Sequence, residues 1–171
     1  MNIAIVGATG NVGRKVLEVL ERKNLPISEI FLVASERSAG SKINFKGKDI
    51  EVENLETFDF SKAKITFFAA GGKISEAYAA KAARHSIVID NSSFYRMDPD
   101  VPLIVPQVNV DDLKNIKKNI IANPNCSTAQ LVLPLKPIHD LFKIKRVIVA
   151  TYQSVSGGGK APMDELVEQT K

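Results

Sequence analysis

The chain of 171 residues contains a single cysteine, Cys126. One thiol excludes an intramolecular disulfide, and no second cysteine is present to complete a zinc cage. No apolar run approaches the ~20 residues that a membrane span requires. The first residues lead directly into a strand pattern, without the basic segment and cleavage site of an export signal. These absences predict a cytoplasmic protein with no metal site and no membrane partner.

A concentrated basic surface is also missing. The net charge is +4 and the isoelectric point is about 9.1. The lysines and arginines are scattered, however, and no basic stretch alternates with aromatic residues as in a nucleic-acid platform. A modest positive excess suits a solvated surface, or an enzyme that attracts anionic small molecules. We therefore predict no nucleic-acid partner.

Short buried strands that alternate with helical patterns predict an α/β fold with a doubly wound parallel sheet. Predicted strands lie at residues 2–6, 30–34, 43–45, 49–52, 65–70, 87–90, 120–122 and 146–153. Helical patterns follow Gly13 and cover residues 75–84, 126–142 and 163–170. In the first helix, Val12, Val16, Val19 and Leu20 are predicted to share the buried face. Pro134 and Pro137 are predicted to bend the third helix or end it early.

Three glycines follow the first predicted strand and lead into the first helix. Gly7, Gly10 and Gly13 stand where a dinucleotide fold binds pyrophosphate, with glycines for the tight turn, the phosphate approach and helix packing. The second strand leads to Arg37 and Ser38, and an arginine at this place accommodates a 2′-phosphate. The pattern favours NADP, and we expect the neighbouring Glu36 to point away from the phosphate.

Cys126 directly precedes an apolar helical pattern, in the turn at residues 123–128. The positive end of a helix favours a thiolate, and its free N–H groups can bind an oxyanion formed when sulfur attacks a carbonyl. A lone cysteine is often a buried structural residue. Here polar Asn125, Ser127 and Thr128 surround it, and the approach to it has the composition of a turn. We predict that Cys126 is a nucleophile.

A polar loop follows the strand that ends at Asp90, and loops after parallel strands lie where ligands bind. Its Arg96 could hold an oxyanion through two parallel hydrogen bonds. The alternative is an ordinary surface arginine. His85 and His139 each end a helical pattern near charged residues, and we assign neither of them to a site.

Together, six segments resemble the bacterial aspartate-semialdehyde dehydrogenases along essentially the whole chain: residues 7–13, 37–40, 90–93, 105–109, 123–128 and 151–157. The resemblance implies a Rossmann-like NADP-binding domain at residues 1–122. It also implies that residues 123–171 begin a second α+β domain for catalysis and dimerisation. The related N-acetyl-glutamyl-phosphate reductases share this plan but usually carry glycine in place of Asn125.

The resemblance implies that aspartate 4-semialdehyde, phosphate and NADP⁺ are converted reversibly to 4-aspartyl phosphate and NADPH. Cys126 matches the nucleophile that forms the acyl thioester. Arg96 matches the ligand of the substrate phosphate, and Asn125 and Gln153 match substrate-binding positions. Positions that match cofactor contacts are Gly7, Thr9, Gly10, Asn11, Val12, Gly13, Arg37, Ser38, Ser156 and Gly157. The resemblance also implies that the full-length form is a homodimer or a dimer of dimers.

The family's catalytic histidine, its carboxylate-binding arginine and the helix that completes its cofactor domain match nothing before Lys171. We therefore expect this chain to be the N-terminal part of such an enzyme. We expect it to bind NADP weakly, not to turn over, and to self-associate through residues 146–153 and the neighbouring helix. The alternatives are a cofactor-binding domain without an enzymatic role and a reductase of the N-acetyl-glutamyl-phosphate type.

Overall fold

The computed structural model describes residues 1–23 and 25–171. Within them seven strands form one sheet: β1 (Asn2–Val6), β2 (Glu29–Ala34), β3 (Lys42–Phe45), β4 (Lys48–Asn54), β5 (Ile65–Phe68), β6 (Ile87–Asp90) and β7 (Ile120–Ala122). The α-helices of this part are α1 (Asn11–Arg22), α2 (Gly72–Ala82), α3 (Pro106–Asn109), α4 (Cys126–Phe142) and α5 (Lys160–Gln169). Short 3-10 helices occupy Glu36–Ser38, Phe60–Lys62, Val110–Asn115 and Val155–Gly158.

The strand order is β3-β4-β2-β1-β5-β6-β7. All neighbours pair in parallel except β3 and β4, which form an antiparallel hairpin. Lys46 and Gly47 both have positive φ in the hairpin turn, as a two-residue turn between twisted strands requires. The strand β1 has β2 on one side and β5 on the other, so the winding direction reverses at β1. In such sheets ligands bind outside the carboxyl ends of the strands at this reversal.

The core consists of two layers, one on each face of the sheet. Alternate residues of a strand point to opposite faces, and in β1 Ile3 and Ile5 join one buried cluster while Ala4 and Val6 join the other. The first cluster includes residues of α1 and the second includes residues of α2. Helices therefore cover both faces, and the predicted doubly wound, Rossmann-like parallel sheet is confirmed.

The buried face of α1 matches the prediction in part: Leu20 is buried and Val16 packs against the core, but Val12 and Val19 do not belong to it. Gly13, Leu17 and Leu20 are buried against the sheet, whereas Val12 is 43% exposed and Val19 is 40% exposed. Because Gly13 has no side chain, the helix lies close to the backbone of the preceding turn. The helix face that contains Gly13 is therefore the face that packs against the sheet. The valines of this helix line an open concavity of about 240 Å³ beside Phe67.

The helix α4 runs through Pro134 and Pro137 to Phe142, so the predicted early end is wrong, while a bend at the prolines stays a prediction. Each proline removes one backbone hydrogen bond, which leaves the carbonyls of Gln130 and Leu133 without their helical donors. All four of these residues are exposed. Water can hydrate the two carbonyls, and the helix tolerates the prolines for that reason.

Residues 146–153 were predicted as a long strand, and the structure assigns them neither strand nor helix. A strand needs a hydrogen-bonded neighbour, and no described strand lies beside this segment. Ile148 is 84% exposed there. The other predicted elements are present with shifted ends, and the largest shifts are the start of α2 at Gly72 instead of residue 75 and the start of α5 at Lys160 instead of residue 163. Among the described residues, no helix combines the length and the apolar character needed to cross a bilayer.

Candidate active site

The turn between β1 and α1 forms a cradle that excludes side chains. Gly7 has φ +85°, and a Cβ atom there would lie 2.9 Å from the carbonyl carbon of Ala69. A Cβ atom on Gly13 would lie 2.8 Å from the Cα atom of Ala8. Gly10 caps the helix and has no side chain that could accept from the first-turn N–H groups. These N–H groups remain available for a phosphate at the positive end of a 12-residue helix.

Arg37 and Ser38 follow β2, the strand next to β1, in the 3-10 helix Glu36–Ser38. The Ser38 N–H donates to the Ser35 carbonyl at 2.8 Å, which holds this short turn. The Arg37 side chain is exposed and extends from the carboxyl edge of the sheet. This is the edge at which the glycine cradle opens. The orientation expected for Glu36 stays a prediction.

Cys126 is the first residue of α4, and its thiol is exposed, so both the predicted helix start and the accessible thiol are confirmed. Asn125 caps the helix: its Oδ1 accepts from the N–H of Ser127 at 3.0 Å and from the Ser127 hydroxyl at 2.6 Å. The Cys126 Sγ atom lies 3.9 Å from the same Oδ1. The Asn125 Nδ2 group donates to no partner within the described residues. It is therefore free to bind a ligand oxygen next to the thiol.

Arg96 joins the loops that follow the adjacent strands β6 and β7. Its Nε donates to the Asn123 carbonyl at 2.9 Å, and its Nη2 donates to the Asn91 carbonyl at 3.1 Å. The side chains of the two asparagines also meet, since Asn123 Nδ2 donates to Asn91 Oδ1 at 2.6 Å. The arginine is therefore part of the structure that supports the cysteine turn. Sequence reasoning missed the roles of Asn91 and Asn123, and two asparagines directly after neighbouring strands were the available signal.

A buried carboxylate fixes the loop that carries Arg96. Asp90 is fully buried and accepts hydrogen bonds from the Ser75 hydroxyl at 2.7 Å, the Ser92 N–H at 2.9 Å and the Ser92 hydroxyl at 2.8 Å. Ser75 belongs to α2, so the carboxylate connects this helix to the loop. A buried carboxylate without such partners would be strongly destabilising. The sequence analysis did not assign this supporting role to Asp90, Ser75 or Ser92.

Ion pairs hold the segment after Arg96 against the segment before β7. Lys118 contacts Asp98 at 2.8 Å and Lys117 contacts Asp100 at 2.9 Å. The hydrogen bond from Lys118 lowers the pKa of Asp98, and the hydrogen bond from Lys117 lowers the pKa of Asp100. Next to Arg96, burial raises the pKa of Tyr95, and the charge of Asp90 adds to this shift. The ionised forms of the two half-buried carboxyls, Asp98 and Asp100, therefore help to order the loop.

Residues near the C-terminus lie close to the glycine cradle. The Asn11 Nδ2 group at the start of α1 lies 3.8 Å from the Met163 Sδ atom in α5. Ser156 and Gly157 lie in the 3-10 helix that precedes α5. The Gln153 side chain packs on Gly157, where a Cβ atom would lie 2.8 Å from Gln153 Cδ. No hydrogen bond within the described part of the chain joins Gln153 to Cys126 or Arg96.

Neither histidine lies beside the thiol. His139 is on the same helix as Cys126, about 20 Å farther along its axis at 1.5 Å per residue. His85 is exposed and follows α2 at the amino edge of the sheet, just before β6 begins. The two histidines cannot exchange a proton with a group bound at Cys126.

Two family models together match most of the chain. The family model "Semialdehyde dehydrogenase, NAD binding domain" matches residues 2–116, and "Semialdehyde dehydrogenase, dimerisation domain" matches residues 135–171. The aspartate-semialdehyde dehydrogenase of Aquifex aeolicus is 55% identical over 172 residues, which cover 99% of this chain and 51% of that protein.

Two solved structures share the fold of this chain. Aspartate semialdehyde dehydrogenase II of Vibrio cholerae, complexed with ASA, superimposes with a TM-score of 0.95 at 51% identity and covers 99% of this chain and 51% of its own. The aspartate semialdehyde dehydrogenase of Candida albicans with NADP gives a TM-score of 0.67 at 29% identity and covers 84% of this chain and 48% of its own. The chain thus spans about half the length of the curated relatives it matches.

Proposed function

Because this chain belongs to the semialdehyde dehydrogenase family, we propose that it forms the cofactor-binding and thiol-bearing part of an NADP-dependent aspartate-semialdehyde dehydrogenase. One observation carries the proposal. A dinucleotide cradle after β1 and an exposed cysteine at the start of α4, which follows β7, open at the carboxyl edge of the same parallel sheet. A thiol and a hydride acceptor on one edge suit the oxidation of an aldehyde to a thioester.

The cradle fits a dinucleotide because a Cβ atom at Gly7 or Gly13 would fill it. We assign the pyrophosphate to the N–H groups of α1, in the segment that contains Thr9, Asn11 and Val12. Arg37 and Ser38 would hold the 2′-phosphate of NADP, and Ser156 and Gly157 would close the cradle from the C-terminal side. The Candida albicans relative, solved with NADP, supports this assignment. When bound, the cofactor supplies the acceptor for hydride.

Cys126 carries the covalent chemistry in this proposal. Its thiolate adds to the aldehyde carbon, and the N–H groups at the start of α4 stabilise the resulting oxyanion as a thiohemiacetal. Loss of hydride from that carbon to the cofactor leaves a thioester on Cys126. Phosphate oxygen then attacks the thioester carbon, the carbon–sulfur bond breaks, and 4-aspartyl phosphate leaves while the thiolate is restored.

Arg96 would bind the attacking phosphate, because its guanidinium lies beside the cysteine turn. Asn125 would donate from Nδ2 to a substrate oxygen next to the sulfur. Gln153 would orient the substrate. Asn125 also supports an aspartate substrate over an N-acetyl-glutamyl one, because the latter family usually carries glycine there.

We further propose the domain boundary between residues 122 and 123, where β7 ends and the chain turns into α4. The match of residues 135–171 to a dimerisation domain supports a homodimer, or a dimer of dimers, for the complete enzyme. We propose that the 171-residue chain alone binds NADP weakly and does not turn over. Neither of its histidines lies near Cys126, and a positioned general base typically contributes ~10²–10⁴-fold to a rate.

The decisive experiment measures NADPH formation from aspartate 4-semialdehyde and phosphate. Two proteins are compared: the 171-residue chain alone, and the chain joined to the remaining half of the Aquifex aeolicus relative. The joined protein should form NADPH only when phosphate is present, and Cys126→Ser should abolish the reaction. Activity that survives this substitution would refute the thioester mechanism. Ordinary enzymatic rates from the chain alone would refute the proposal that it lacks essential groups.

A further inference from the structure

We propose that Asn91 and Asn123 are positioning residues that aim the Arg96 guanidinium at an anion reacting at Cys126. The inference deepens the function proposed above and rests on it. It assigns a role to two side chains that contact no substrate themselves. The proposal rests on the hydrogen bonds that Arg96 already makes to the protein backbone.

A guanidinium group has two edges that can bind a carboxylate or phosphate through two parallel hydrogen bonds. One edge consists of Nε and Nη2, and the other consists of Nη1 and Nη2. In this structure Nε donates to the Asn123 carbonyl and Nη2 to the Asn91 carbonyl, so the first edge is occupied by the protein. The second edge keeps one N–H from each terminal nitrogen. An anion with two oxygens can therefore bind Arg96 only end-on.

The direction of that free edge depends on the distance between two loops. The two acceptor carbonyls belong to the loops after β6 and β7, and each loop could shift separately. The side-chain hydrogen bond of 2.6 Å from Asn123 to Asn91 joins the loops directly next to these carbonyls. Both asparagines are half-buried, which limits competition from water. Without this bond the carbonyls can separate, and the guanidinium loses its fixed orientation while keeping its charge.

The length of the connecting chain limits how far the oriented group can lie from the thiol. Asn123 is three residues before Cys126, a stretch of chain that spans at most about 11 Å even when extended. The attraction between the guanidinium and an anion is only partly screened over such a distance at ~0.1 M salt. The expected ligand is an oxyanion with at least two free oxygens, such as inorganic phosphate or an acyl phosphate.

The single cysteine makes a direct test possible on the 171-residue chain. Iodoacetate is an anion and iodoacetamide is its neutral counterpart, and both alkylate Cys126 with a mass change that is specific to this residue. The rate constant for iodoacetate is divided by that for iodoacetamide, and the result is divided by the same ratio measured with glutathione. This normalised ratio is the anion preference at the Cys126 sulfur. We expect a preference of about threefold to tenfold, as for one cation at this distance. Arg96→Gln should abolish it.

Variants of the two asparagines test whether their hydrogen bond positions the guanidinium. Asn91→Leu and Asn123→Leu keep the approximate size of the side chain and its zero charge, but each removes one partner of the hydrogen bond. Each should remove about half or more of the anion preference, consistent with the loss of one hydrogen bond. The double variant should be no worse than either single variant, because both remove the same interaction. Asn91→Ser provides a milder variant if leucine prevents folding.

A matched control separates positioning from general stability. Asn119 also uses its Nδ2 group in one hydrogen bond, to the Ala83 carbonyl at 3.1 Å, at the other end of β7. Its φ is +54°, so Asn119→Gly removes the bond without backbone strain. This variant should lower the melting temperature and leave the anion preference unchanged.

Three results would overturn the inference: an unchanged preference in both leucine variants, effects that add in the double variant, or an unchanged preference in Arg96→Gln. None of them depends on NADP or on turnover. A failure here is therefore distinct from a failure of the proposed function, which would appear as phosphate-dependent NADP reduction that survives in Cys126→Ser.

Discussion

Gly13 lies so close to Gly7 that a Cβ atom at position 13 would overlap the Gly7 carbonyl oxygen. The first turn of α1 is thereby held directly against the end of β1. This contact forms the cradle to which we assign the cofactor pyrophosphate. It also selects the face of α1 that is buried, because the residues in line with Gly13 are the ones that meet the sheet.

Gly13→Ala is expected to destabilise the chain by about 1–3 kcal/mol, the usual cost of forcing an extra methyl group into a packed interior. Chemical denaturation measures the effect. Gly10→Ala is the matched control, because its Cβ atom would lie 3.4 Å from the Gly7 carbonyl oxygen and its φ is −79°. The control should keep nearly normal stability and still weaken NADP binding. Equal stability of the two variants would contradict the packing argument.

Arg37→Ala is expected to weaken NADP binding by about tenfold to hundredfold, because a hydrogen bond to a charged group contributes about 1.5–3 kcal/mol. NAD has no 2′-phosphate, so its affinity should barely change. Titration calorimetry with both cofactors measures the two effects. An equal loss for NADP and NAD would show that Arg37 does not contact the 2′-phosphate.

Ser75→Ala removes one of the three donors to the buried Asp90 carboxylate. We expect a loss of about 1.5–3 kcal/mol of unfolding free energy, as for hydrogen bonds to charged groups. Ser93→Ala is the control, since Ser93 is exposed in the same loop. Urea denaturation of both variants decides the question. If Ser93→Ala costs as much as Ser75→Ala, the buried carboxylate is not the reason for the loss.

The ion pairs of Asp98 with Lys118 and of Asp100 with Lys117 make stability depend on pH in the acid range. Both carboxyls have a pKa lowered from 3.8 in the folded chain. Their contribution is therefore complete above the unfolded value and is lost as the pH falls through the lowered folded values. Melting temperatures between about pH 6 and pH 2 should fall less steeply for the double variant Asp98→Asn, Asp100→Asn. Identical pH profiles would exclude these pairs as a cause.

The exposed apolar residues around the end of α4 and residues 146–153 are expected to cause self-association of the 171-residue chain. Phe142 is 77% exposed and Ile148 is 84% exposed. Ile148→Glu should lower the average mass measured by light scattering at a given concentration. Thr151→Glu adds the same charge to an exposed polar position of the segment and should have a smaller effect. A monomeric wild-type chain would contradict the prediction.

The parts of this fold that could be predicted from sequence are those that short segments determine by themselves. The β1-to-α1 turn is an example, because only glycine tolerates the φ of Gly7 and the close packing of Gly13. The strands predicted at residues 43–45 and 49–52 are another, and the two residues between β3 and β4, Lys46 and Gly47, have the positive φ that a two-residue turn requires. Cys126 at the start of a helix, preceded by the capping residue Asn125, is a third.

Tertiary contacts decided the rest. Residues 146–153 have the composition of a strand, but a strand exists only when a neighbour accepts its backbone hydrogen bonds, and no described strand does so. The apolar pattern of α1 allowed two buried faces, and the position of Gly13 against Gly7 chose between them. The bond between Asn91 and Asn123 joins residues that are far apart in the chain and adjacent only because β6 and β7 pair. Local sequence therefore determined the turns and helix starts that contain the proposed site residues. Strand pairing decided which of these residues meet, because the sheet brings together segments that are far apart along the chain.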